Sequence, residues 1–150
     1  MTFLDIIQNA VVCFLEAKNR DEALYQLVKA LKKNKVVQNA KHFFNAILKR
    51  EMIVSTGIGR GVAIPHAKLE KWDHFFLAIG IQKGKEGIEW DALDKMPVRL
   101  IFMIGGPDNQ QTEYLKILSR LTTAIKDEER RMKILFATSR EDVIKLLEGC

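Results

Sequence analysis

Apolar and polar positions follow two different periods along this chain, and the changes of period mark its elements. Residues 9 to 16, Asn-Ala-Val-Val-Cys-Phe-Leu-Glu, are rich in β-formers and read as a strand. Asn19, with Glu22 three residues on, is a variant of the capping box and opens a helix. Ala23, Leu24, Leu27, Val28 and Leu31 then form an apolar stripe at helical spacing. The stripe ends in a lysine-rich turn suited to the negative helix end. A second helix is predicted from Gln38 to Lys49, burying Phe43, Phe44, Ile47 and Leu48, with Arg50 and Glu51 closing it. Val62 to Ile64 is a short apolar run that stops at Pro65. Phe75 to Ile81 and Val98 to Ile104 are near-continuous apolar runs and read as strands buried on both faces, the second ended by Gly105-Gly106-Pro107. Lys83 to Gly87 is a loop between them, and Trp90 a hydrophobic anchor.

The remainder is helical. Gln111 to Ile125 presents Leu115, Leu118, Thr122 and Ile125 on one face, with Leu121 beside them. Asp127 to Phe136 continues as a second helix or a bent extension, and Ser139 with Asp142 caps a last helix that ends near Gly149. Strands alternating with helices, without repeats or linkers, predict an α/β fold with residues 1–150 as a single domain.

Composition narrows the function classes. A chain 47% hydrophobic and 29% charged is that of an ordinary soluble globular protein, and no apolar run reaches membrane-spanning length. The N-terminal apolar stretch is broken by Asp5, Gln8, Asn9 and Glu16 and follows no basic segment, which argues against a signal peptide. Cys13 and Cys150 make neither a disulfide framework nor a metal motif, so the expected setting is cytoplasmic, with reduced thiols and no direct membrane insertion. The net charge of +5 concentrates at Lys32, Lys33 and Lys35 and at Arg130, Arg131 and Lys133. No aromatic residues are interleaved with these groups, so solvated helix faces are the favoured reading over a nucleic-acid surface.

The densest chemistry lies between Ser55 and Lys68, Ser-Thr-Gly-Ile-Gly-Arg-Gly-Val-Ala-Ile-Pro-His-Ala-Lys. Gly57, Gly59 and Gly61 let the backbone turn through conformations closed to other residues. Pro65 fixes its own φ and keeps Ile64 extended. A flexible turn, a rigid strand and a proline thus carry one imidazole, His66, to a strand end. His42 and His74 lack such a setting and are assigned no role.

Ser-Thr-Gly-Ile-Gly followed by Gly-Val-Ala-Ile-Pro-His, with Arg50-Glu51 before it, resembles the enzyme IIA domains of the bacterial phosphoenolpyruvate-dependent phosphotransferase system. The similarity is to the fructose/mannitol superfamily, nitrogen-regulatory branch, and extends to Gly87 to Asp94 and Pro97 to Leu100. It implies a mixed β-sheet flanked by helices on both faces. It also implies that His66 accepts a phosphoryl group from a small histidine phosphocarrier protein and passes it on, and that Arg50 lies beside it. Two positions depart from the family pattern. Tyr114 stands where many members carry a second active-site histidine, and Arg60 where nitrogen-type members commonly carry asparagine.

The residues are suited to that chemistry. Neutral histidine has a free ring nitrogen at physiological pH. Phosphoryl transfer asks for alignment and positive electrostatics more than covalent machinery. Arg50 offers a planar fork for two phosphoryl oxygens, although a helix C-terminal charge is its plain alternative. Backbone N–H groups around Gly57 to Gly61 are a candidate anion nest. The Ser55 and Thr56 hydroxyls either join that site or tie down the turn, and Arg60 either supplements Arg50 or faces solvent. Tyr114 can donate a hydrogen bond to a phosphoryl oxygen or to His66, but cannot be a cation near neutral pH.

No Walker-type loop, dinucleotide spacing or paired metal-ligand spacing accompanies His66, so no nucleotide, metal or other cofactor is expected. With no attached membrane or second transfer domain in the sequence, a regulatory phosphocarrier reporting nitrogen or carbon status is the leading expectation. A sugar-specific IIA subunit feeding a separate IIB permease component is the second, and a non-catalytic binding domain the third.

Overall fold

In a computed structural model that describes residues 2–149, six helices cover the two faces of one six-stranded mixed sheet. The elements run α1 (Phe3–Gln8), β1 (Val11–Leu15), α2 (Arg20–Lys33), α3 (Ala40–Ile53), β2 (Gly57–Gly59), β3 (Val62–Ala63), β4 (His66–Leu69), β5 (Phe76–Gln82), β6 (Leu100–Pro107), α4 (Gln111–Lys126), α5 (Glu128–Phe136) and α6 (Arg140–Glu148). The sheet order is β1-β5-β6-β3-β2, and β4 also pairs with β6. The β1–β5, β3–β6 and β4–β6 pairs are parallel; β2–β3 and β5–β6 are antiparallel.

Every residue of β5 and of β6 is buried, as continuous apolar runs require. Successive residues still point to opposite faces. Leu77, Ile79, Phe102 and Ile104 pack with Tyr114, Leu121, Ile125, Val143 and Leu147 from α4 and α6. Ala78, Ile101 and Met103 pack with Leu24, Leu27, Phe43 and Ile47 from α2 and α3.

Several boundaries differ from the sequence reading, each for a local reason. α1 is not predicted by hydrophobic period; it rests on a complete Thr2/Asp5 capping box and on Ile6 and Ile7, which are buried. α3 runs on through Arg50 and Glu51 to Ile53, because Glu51 is buried as an integral part of its inner face. β6 does not stop before Gly105-Gly106-Pro107 but continues through them. Glycine is required there because a Cβ would lie 2.2 Å from the Phe76 ring at Gly105 and 2.2 Å from the Phe75 ring at Gly106. The buried face of α4 is Tyr114, Ile117, Leu121, Ala124 and Ile125, whereas Leu115 is exposed. Asn19, Asp127 and Ser139 cap α2, α5 and α6 as expected, and Asn39 caps α3.

The break at Pro65 is what positions the site. β3 and β4 follow β6 in one unchanged register, Val62 opposite Leu100 and His66 opposite Ile104. They form one line interrupted at Ile64-Pro65, where proline has no N–H to give the ladder. The Ile64 N–H is satisfied by the Thr56 carbonyl, and the Pro65 carbonyl accepts from Ile104. His66 is therefore not a strand's last residue but the first residue of the resumed strand.

Candidate active site

β4 alternates half-buried and buried residues, with Ala67 and Leu69 turned into the α2/α3 core. His66 and Lys68 consequently share the opposite face, where the His66 ring lies 5.5 Å, centroid to centroid, from that of Tyr114 on α4. Among the described residues β4 has no strand neighbour beyond β6, so α3 can approach its free edge. From α3, Arg50 donates through Nε to His66 Nε2 at 3.2 Å and through Nη1 to the Val54 carbonyl at 2.8 Å. The second bond holds the guanidinium plane while the first aims it at the imidazole.

The tautomer follows from the other ring nitrogen. His66 Nδ1 lies 3.0 Å from the Ile64 carbonyl oxygen, which can only accept, so Nδ1 carries the proton. Nε2 then bears the lone pair and accepts from Arg50. Burial lowers the His66 pKa below the ordinary 6.5; the Ile64 bond opposes this, while the Arg50 and Lys68 charges push the same way. The ring thus favours its neutral form, with the lone pair on the nitrogen that meets Arg50.

His66 and Arg50 line a hollow of ≈ 440 Å³ between the β2–β3 hairpin and α4. One liquid water occupies roughly 30 Å³, so there is room for a phosphoryl group and for part of a partner. Arg50, Arg60 and Lys126 bring positive charge to it, and Ile58, Leu118 and Ile125 form an apolar wall. A second hollow shares Arg50 and His66 with the first and is also lined by Lys49 and Lys68. No carboxylate lines either one among the described residues.

The remaining predicted site residues hold the frame. Ser55 Oγ donates to the Trp90 carbonyl and accepts from the Gly57 N–H, so it ties down the turn. Thr56 is buried; its N–H and hydroxyl both bond the Glu51 carboxylate. The hairpin tip has φ of 100° at Gly59, 58° at Arg60 and 78° at Gly61, the left-handed region where glycine costs least. This expected anion nest is already filled from within the chain: the Arg60 N–H donates to Asp94 Oδ2 at 2.8 Å. That bond first, then one from Met96, holds the Asp94 carboxyl below its usual range. A Cβ at Gly57 would meet Ala92 at 2.9 Å, so this glycine serves close packing. The Arg60 side chain does reach the hollow, and it is Arg60, not the nest, that offers charge there.

Glu51 is the residue whose part was not read from sequence. It is 3% exposed and accepts from Thr56 and, at 2.6 Å, from Trp90 Nε1. The signal was its place beside Arg50: one helical step separates a side chain facing the site from one facing inward. Tyr114 is also buried, its pKa is pushed up to about 12 by burial against the opposing Arg50 charge, and its hydroxyl has no hydrogen-bond partner among the described residues. Cys13 is a free thiol, and Cys150 lies outside the described residues. The described residues contain no cluster of three or more metal-ligating side chains, and no helix long and apolar enough to cross a membrane.

Comparison with known proteins places this geometry in context. A family model described as phosphoenolpyruvate-dependent sugar phosphotransferase system, EIIA 2, matches residues 6–150. A nitrogen regulatory protein of Bradyrhizobium diazoefficiens is 27% identical over 148 residues, 98% of this chain and 95% of that protein. The fructose-specific EIIABC component of Bacillus subtilis is 35% identical over 133 residues, 89% of this chain but only 21% of that much longer protein. The crystal structure of the nitrogen regulatory protein IIA-Ntr from Neisseria meningitidis superposes with a TM-score of 0.84 at 27% identity, covering 96% of this chain and 97% of that one.

Proposed function

The chain belongs to the EIIA 2 family of the phosphoenolpyruvate-dependent sugar phosphotransferase system, and from that premise we propose that it is a phosphocarrier that accepts a phosphoryl group on Nε2 of His66. The observation that carries this reading is the pair of bonds on one ring: Nδ1–H committed to the Ile64 carbonyl, and Nε2 facing the Arg50 guanidinium. Transfer from a donor phosphohistidine needs no proton movement. The donor's P–N bond breaks, its electron pair returns to the donor imidazole, and the His66 Nε2 lone pair forms the new P–N bond. Arg50 then shifts from the ring nitrogen to the phosphoryl oxygens, where charge is spread during a loose transfer.

The donor in this reading is a histidine phosphocarrier protein, received against the apolar wall of the hollow with positive charge at its rim. The downstream role is regulatory, reporting nitrogen or carbon status to a protein target. Nearly end-to-end similarity to nitrogen regulatory proteins supports it. The similarity to a fructose-specific component supports a second reading, in which a IIB component takes the phosphoryl group onward for sugar transport.

Incubation with phosphoenolpyruvate, enzyme I and the histidine phosphocarrier should add one acid-labile phosphoryl group, and His66→Ala should abolish it. Labelling that survives His66→Ala contradicts the assignment. A folded wild-type protein that no carrier labels points instead to a non-catalytic binding domain. Chase of the label onto a IIB component and then sugar favours the transport reading.

A further inference from the structure

Resting on the phosphocarrier reading, the structure assigns Lys68 as a second phosphoryl-binding cation, drawn from a neutral resting contact when His66 is phosphorylated. Lys68 follows His66 by two residues on β4, so both side chains stand on the face toward α4. Its Nζ lies 4.5 Å from the centroid of the Tyr114 ring, the ring that also packs against His66. A solvated lysine would extend away from the sheet; this one is laid across an aromatic face beside the reacting imidazole.

Its polar partner is the neutral Gln111 side chain in the first turn of α4, and no carboxylate pairs with it among the described residues. The cation is therefore held near the site without being neutralised. It also lines the second hollow, which shares Arg50 and His66 with the first. A phosphoryl group brings up to nearly two negative charges, which a single guanidinium does not balance. The Tyr114 hydroxyl, 95% buried by its 5% exposure and without a partner, adds a donor that this ligand would satisfy. The Lys68 charge serves both states: before transfer it disfavours protonation of His66, and afterwards it attracts the product.

The test compares wild type, Lys68→Gln and Lys68→Arg, using two donors: the phosphorylated histidine carrier and the small molecule phosphoramidate. Lys68→Gln should slow phosphorylation by about tenfold with both donors, less than the loss of a fully preorganised donor, and Lys68→Arg should recover most of the rate. On phosphorylation of the wild type, the Gln111 side-chain amide resonances should shift as Lys68 leaves, and in Lys68→Gln they should stay in place. Full rate in Lys68→Gln overturns the proposal. So does a loss confined to the protein donor, which would make Lys68 a docking residue, or a Gln111 signal that phosphorylation leaves unmoved. A wild type that takes no label at His66 overturns the phosphocarrier reading and this proposal with it. A labelled wild type with an equally fast Lys68→Gln overturns this proposal alone.

Discussion

His66 has the two properties a phosphoryl acceptor needs, a free nitrogen and the neutral state, and each comes from a different neighbour. The Ile64 carbonyl settles which nitrogen is free. Burial, with Arg50 and Lys68, keeps the ring neutral below its ordinary titration range. The His66 midpoint followed by nitrogen-15 chemical shift should therefore fall below 6.5, and Arg50→Gln should move it upward by removing a nearby positive charge. A wild-type midpoint at or above 6.5 contradicts the geometry. Stability follows with a definite sign. Because the unfolded ring binds its proton first as pH falls, the contribution is present above pH 6.5 and is lost as pH drops below it. Arg50 and His66 were legible as partners through their motif context. The engagement of Thr56 by Glu51, and of the Arg60 N–H by Asp94, was not, because these bonds join residues whose spacing follows no secondary-structure period.

α3 works as an element with two faces at its C-terminal end. Arg50 turns to the sheet edge, and Glu51 turns inward to fasten the glycine turn and Trp90 to the same helix. The distance between Arg50 and His66 is thus set by a buried network rather than by loop packing alone. Glu51→Ala should cost roughly 3 kcal/mol, since it strands the Thr56 N–H and leaves the Trp90 Nε1–H only a 3.3 Å bond to Thr56 Oγ1 in the interior. Urea unfolding measures this, and a loss below about 1 kcal/mol would show that water or rearrangement replaces the carboxylate.

The basic cluster of α5 is also an element-scale feature: Arg130 bonds the Ala124 carbonyl, and Arg131 those of Ile125 and Lys126, at the C-terminal end of α4. Arg130 and Arg131 thus complete a helix terminus and are half-buried, rather than forming the solvated face that the sequence predicts for this cluster. The long helices and β5 were readable because their apolar periods are uninterrupted. β4 is not legible in the same way, because the apolar run stops at Pro65 and His-Ala-Lys-Leu is too short for its alternation to stand out.

At the scale of the whole molecule, the site lies where two helix layers meet. α3 comes from one layer of the sandwich and reaches the free edge of β4, and α4 comes from the other and packs Tyr114 against the face that carries His66. The layered fold was legible from alternating elements, and the mixed sheet from the family resemblance. The edge position was not, since it depends on β3 and β4 sharing one line along β6 across a proline break. That arrangement gives a single half-buried imidazole a guanidinium at its free nitrogen, with an aromatic ring and a lysine alongside. Phosphorylation of the protein labelled with nitrogen-15 histidine tests the account most directly, through the phosphorus–nitrogen coupling in its NMR spectrum. Coupling at Nε2 of His66, with the Nδ1 proton retained, is the predicted result; coupling at Nδ1, or phosphate on any other residue, would contradict it.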